Sequence, residues 1–284
     1  MHPRLLTLLA ELRRAWPFAA ALAVVLGAVV VAGANLSNAF PSQGHPFGWA
    51  GPASFENAVA MVRPDLVVAA ALPGLLLGAT ALRHREPAAT PLGDLGIVVG
   101  VDAALLGLAS LVAGIIGAWG SFKTPVGAFW AFVVAHALLA LAFYAIAFFV
   151  ASVARKHAVP IAAGLWLALH TLFDHVTQTI LFRQMGYDNL TAGIFPPWFF
   201  VAQASSPESL YRGVLILWDR KFMDYVEQAA LGKAALPGWL TPATFAAYMV
   251  GAFVALPLGL AALVWWWRAR AARAAVAVPD EEPA

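Results

Sequence analysis

The stretch Val126–Val153, VGAFWAFVVAHALLALAFYAIAFFVASV, decides the fold. It contains no Asp, Glu, Lys or Arg, and its one imidazole is His136. A bilayer's hydrocarbon core takes roughly 20 apolar residues in a helix, and an uncharged run of this length reads as one crossing. The residues just beyond it, Arg155 and Lys156, are the kind that anchor a helix end at a membrane surface.

Working outward, the whole chain of 284 residues is 62% hydrophobic and 11% charged. Soluble domains carry about 25% charged residues, so little of the chain is left for one. There is no cysteine, which excludes disulfides, thiolate metal centres, iron–sulfur clusters and covalently attached haem. A net charge of +2 gives no argument for binding nucleic acid. No G-x-x-x-x-G-K-[ST] phosphate loop is present.

Hydropathy predicts an all-α integral membrane protein with six spans: Trp16–Leu36, Leu66–Leu82, Leu95–Trp119, Val126–Val153, Ala158–Leu181 and Phe245–Trp267. Together they predict a single transmembrane domain over 1–270 and a disordered tail over 271–284. Arg4, Arg13, Arg14, Arg83, Arg85, Arg155, Lys156, Arg268, Arg270 and Arg273 fall on one side of that layout, while the short connections opposite carry only Arg63 and Lys123. The positive-inside rule then places both ends in the cytoplasm of a multi-pass protein of the cell inner membrane. Ahead of span one, Leu5, Leu8, Leu9 and Leu12 make the apolar side of an amphipathic surface helix over Arg4–Arg14.

Between spans five and six lies SSPESLYRGVLILW, Ser205–Trp218. Ser206, Pro207 and Glu208 read as a hydroxyl cap, a first-turn proline and an acid at the positive helix end. The segment is too short and polar to span, and is expected to lie flat on the outer leaflet, with a second short helix over 218–228. Gly96 and Gly100 form G-x-x-x-G at the start of span three, with Gly107, Gly114 and Gly117 following, and predict close helix approach there.

This layout resembles the membrane subunit of type-2 ABC transporters, the ABC-2 permeases, and is similar to the permease of the nitrous-oxide-reductase maturation system. RLLTLLAELRRAWPF resembles the family's N-terminal elbow helix. VASVARKHAVPIAAGLWLAL resembles its basic turn between spans four and five, and SSPESLYRGVLIL its outer proline and tyrosine-arginine motif. The resemblance implies a subunit that forms a homodimer or heterodimer in membrane lipid and couples to separate cytoplasmic ATPase subunits, which carry the ATP and Mg. It implies no catalysis and no cofactor or metal on this chain. Pro207, Tyr211 and Arg212 become an outer gate helix. Arg83, Glu86, Thr90, Leu92 and Asp94 become the ATPase-coupling loop, although the Gly-Thr step usual in that loop is missing here.

Ionisable groups inside spans are functional candidates by default. His170, Asp174 and Gln178 are spaced by four and share one face of span five, with His175 beside them. Asp102 is the other deep acid, about two turns into span three, with Arg155 among its candidate partners. These five form the expected substrate pathway, and helix-to-helix hydrogen bonding is the competing structural reading. Two further functions compete with transport. His136 and His170 fall at similar depth and can ligate a haem in a redox subunit. Alternatively, the chain is a degenerate permease serving as a structural accessory.

Overall fold

The computed structural model describes residues 55–56, 59, 63–83, 85–87, 89–119, 124–173, 176, 179–180, 183–184, 204–222 and 241–276. The expected elbow helix, span one, most of the second outer helix, the last residues of the tail, and Asp174, His175 and Gln178 lie outside the described residues.

The described residues are helical, with no strand among them. In chain order they form α1 (Arg63–Thr80), α2 (Leu92–Trp119), α3 (Val126–Val153), a 3-10 turn at Arg155–His157, and α4 (Ala158–Leu167) continuing as a π-helical stretch over Ala168–Phe173. Then come α5 (Pro207–Trp218), a 3-10 turn at Arg220–Phe222, α6 (Pro242–Tyr248) with a π-helical stretch over Met249–Ala255, and α7 (Leu256–Val276). Three helices are long and apolar enough to cross a bilayer: Leu92–Ala118, Val126–Val153 and Pro242–Ala274. That marks a membrane protein. The apolar helix Asp65–Thr80 is shorter.

The uncharged stretch Val126–Val153 becomes the hub. Its buried residues include Phe132, His136, Leu139, Phe143, Tyr144 and Phe148, and α1, α2, α4, α5 and α7 pack around it. Because lipid is as apolar as a leucine side chain, helices associate in it by close packing rather than by hydrophobic exclusion. α1 meets that requirement through Gly74 and Gly78. A Cβ at Gly74 would collide with Ala140 O and stand 3.1 Å from Tyr144 N. A Cβ at Gly78 would collide with Tyr144 O and stand 3.0 Å from Ala147 Cβ.

This corrects the glycine reading. Gly96, Gly100 and Gly107 have no atom within 4 Å of an added Cβ, so the G-x-x-x-G of span three faces away from every described helix. Only Gly114 and Gly117, further along α2, are in contact, with Val133, Phe129 and Phe55. The helix ends also differ from expectation. α2 begins at Leu92 rather than Leu95, and the last helix runs on to Val276, past the expected start of the tail at 271.

Candidate functional site

α5 does not lie flat on a surface. Pro207, Glu208, Ser209, Leu210, Tyr211, Val214, Leu215 and Ile216 are all buried, so both its apolar and its polar face are enclosed by protein. An interfacial helix keeps its polar face wet, and this one does not. Its depth follows from its neighbours. His136 is ten residues into α3, about 15 Å along the axis. The Tyr211 ring packs edge-on to His136 at 6.5 Å. Phe222, just beyond α5, instead meets Phe55, which packs on Phe129 and Phe132 near the start of α3. The helix therefore starts deep among the spans and climbs toward one end of the bundle. Gly213 lets it dock against α6, because a Cβ there would stand 2.6 Å from the Phe245 ring.

Starting a helix inside the bundle leaves its first N–H groups and its positive dipole end away from water. Ser206 takes the cap position with extended backbone, but its side chain makes no capping hydrogen bond, contrary to the sequence reading. Glu208 supplies the negative charge instead. It is 3% exposed. Its Oε2 lies 2.8 Å from His170 Nδ1. The other oxygen, Oε1, is buried with no hydrogen-bond partner among the described residues.

His170 sits in the π-helical stretch that follows α4. Such stretches depart from the ordinary hydrogen-bond ladder and recur at functional sites. The Trp166 ring stacks on the imidazole at 5.1 Å and 14°. An aromatic face favours a cation above it, so the stack suits an imidazolium and Glu208 suits its counter-charge. The contact ties the π-helical stretch after α4 to the first turn of α5.

Tyr211 is fully buried, and its hydroxyl has no hydrogen-bond partner among the described residues. Burial pushes this phenol above its ordinary range, against the pull of Arg63 and Arg212. Arg63 is itself buried at the start of α1. Of the expected gate residues, Pro207 and Tyr211 are buried and Arg212 is half-buried, and the Tyr211 ring packs on α3.

His136 is taken up by packing. Its Nε2 lies 3.2 Å from Leu66 O, and its Nδ1 lies 3.0 Å from Ser110 Oγ. The carbonyl can only accept, so Nε2 carries a proton. With both nitrogens engaged, the ring has none to offer a haem without breaking one of these bonds. Among the described residues no group of three or more His, Cys, Asp or Glu could hold a metal ion.

At the other end of the bundle, Asp102 pairs with Tyr144, whose hydroxyl donates to Oδ2 at 2.9 Å. Asp102 Oδ1 has no hydrogen-bond partner among the described residues. Arg85 is the cation acting on this carboxylate through space. Arg155, an expected partner of Asp102, is engaged elsewhere: its Nη2 donates to Leu82 O at 3.2 Å and also to Arg85 O. Trp265 of α7 donates its indole N–H to Thr90 O at 3.1 Å. Within the loop, the Glu86 carbonyl accepts from the amides of Ala89 and Thr90. Arg83 and Leu92 are exposed, and Asp94 opens the first turn of α2. The segment holding Arg83, Glu86, Thr90, Leu92 and Asp94 is thus tied to the turn after α3 and to the last helix.

The structure joins His170, a pathway candidate, to α5, the gate candidate. It keeps Asp102 apart, in a separate pairing with Tyr144. Glu208 was visible in the sequence only as a helix-start acid, and nothing in the spacing indicated its partner. Trp166 could have been found, since it lies one helical turn before His170. No family model matches the chain, and no curated protein matches it.

Proposed function

We propose that the chain is the permease subunit of an ABC transporter of the ABC-2 type, with six spans and both ends in the cytoplasm. It dimerises and couples to separate ATPase subunits to move a substrate across the membrane. The carrying observation is the burial of α5, with Glu208 joined to His170 of span five. A short helix that enters the bundle from a connection closes a route better than one resting on its rim. The route runs along span five, where Val159, Ile161, Leu165 and Leu167 are exposed and leave room for a second subunit. The loop around Arg83–Asp94 is the coupling station, and its bonds to Arg155 and Trp265 give it firm attachment to the spans.

The test is purification in mild detergent from cells expressing the neighbouring reading frames. A nucleotide-binding subunit should co-purify and cross-link to positions 83 to 94. A stable chain recovered alone from such cells would favour the structural accessory reading instead.

A further inference from the structure

α7 has two faces with different chemistry. Ala261, Trp265 and Ala269, spaced by four, are buried and make its inward seam. The exposed side reads, in order, Leu256 (58% exposed), Leu260 (40%), Leu263 (58%), Trp266 (43%), Trp267 (65%), Arg270 and, at its flank, Arg273. It passes from aliphatic to indole to guanidinium within about 25 Å of helix. That is the profile of a phospholipid leaflet from acyl chain through interface to headgroup, and indoles concentrate at the middle layer.

The cations on that face are specified further. Arg268, off this face, donates to Val153 O at 2.9 Å. Arg270 places its guanidinium 5.6 Å from the centre of the Trp266 ring. A guanidinium lying on an aromatic ring is held in place while its edge N–H groups remain available to an acceptor. Arg273 follows less than one turn later, its Nε donating to Ala269 O, with the two Nη groups beyond. No acidic residue occurs between Leu256 and Val276.

We propose that Trp266, Trp267, Arg270 and Arg273 form a binding site for an anionic phospholipid headgroup in the leaflet at the basic end of the bundle. The phosphodiester sits against Arg270 and Arg273, and the two indoles pack the glycerol region. This rests only on the chain being a membrane protein and is independent of transport. The acidic run Asp280–Glu282 and a partner protein are the competing occupants.

The full-length protein is reconstituted in phosphatidylcholine vesicles containing a minor fraction of brominated lipid, either brominated phosphatidylglycerol or brominated phosphatidylcholine. Tryptophan quenching is measured in each. One cation near an anionic surface gives about fivefold local enrichment, so wild type should be quenched more strongly by the anionic lipid at equal mole fraction. Trp266→Phe with Trp267→Phe should remove most of that excess. Arg270→Gln with Arg273→Gln should abolish it while leaving quenching by the zwitterionic lipid unchanged, which also shows that the variant is folded in the bilayer. Arg270→Lys with Arg273→Lys should retain most of it. Equal quenching by the two lipids in wild type overturns the proposal. So does an excess that survives the glutamine pair, or one that appears only after residues 277–284 are deleted.

Discussion

His170 Nδ1 and Glu208 Oε2 stand 2.8 Å apart, joining the π-helical stretch after α4 to the first turn of a helix too short to cross a membrane. The bond links segments 38 residues apart in the chain. It also places a carboxylate where the positive end of a buried helix needs one. Its worth is bounded. Side-chain hydrogen bonds between membrane helices average about 0.6 kcal/mol, with a maximum near 1.7. Glu208→Ala should cost about 1–3 kcal/mol, because it also strands the helix start. In a cycle with His170→Ala, the coupling should come to about 1 kcal/mol, read from unfolding in detergent. Strictly additive losses would show that the two side chains are neighbours without being partners.

The glycines give a sharper contrast. Gly78→Leu drives a side chain into the Tyr144 carbonyl and Ala147, so it should lower stability by ~1–3 kcal/mol or prevent folding. Gly100→Leu projects into open space and should leave the melting temperature within the effect of about 0.5 kcal/mol. If both variants melt alike, the assigned crossing of α1 and α3 is wrong.

That contrast also shows what the sequence could and could not reveal. G-x-x-x-G occurs at 74–78 and at 96–100, and spacing alone cannot say which face meets a neighbour. The crossing at Val126–Val153 was legible to the residue, because length and absence of charge are local properties. The depth of α5 was not. Amphipathicity is the same whether the polar face meets water or a buried His170. Glu208 read as a cap acid because its partner lies far off in sequence. Asp102 was legible as a deep acid, but Tyr144 was not legible as its donor, since a tyrosine in an apolar run carries no mark of what its hydroxyl reaches.

Asp102 and Tyr144 should respond asymmetrically. Asp102→Asn keeps an oxygen to accept from Tyr144 and removes a buried charge, so its cost should be under about 1 kcal/mol. Tyr144→Phe leaves the carboxylate without its one donor among the described residues. That should cost about 1–3 kcal/mol. The double variant Asp102→Asn with Tyr144→Phe should be less harmful than the sum, because no charge remains to be stranded. A larger loss from Asp102→Asn than from Tyr144→Phe would mean that the attraction of Arg85 outweighs the hydroxyl bond.

The loop at 83–91 is held from two directions, and the two holds are separable. Arg155 reaches the carbonyls of Leu82 and Arg85 at its start, and Trp265 reaches the carbonyl of Thr90 at its end. A planar guanidinium spans two carbonyls, whereas a lysine ammonium is a point charge on a flexible stem. Amide exchange should therefore quicken in the order wild type, Arg155→Lys, Arg155→Ala. The amides to watch are those of Arg85, bonded to Leu82 O, and Thr90, bonded to Glu86 O. Loss of a hydrogen bond worth about 1.4 kcal/mol raises local opening about tenfold. Arg155→Ala should act mainly on Arg85, and Trp265→Phe mainly on Thr90, because each removes the contact at its own end. If the loop transmits force as one rigid body, the two substitutions should instead quicken both amides together, and their combined effect should exceed the sum. Unchanged exchange in both variants would show that the loop keeps its shape without either tie.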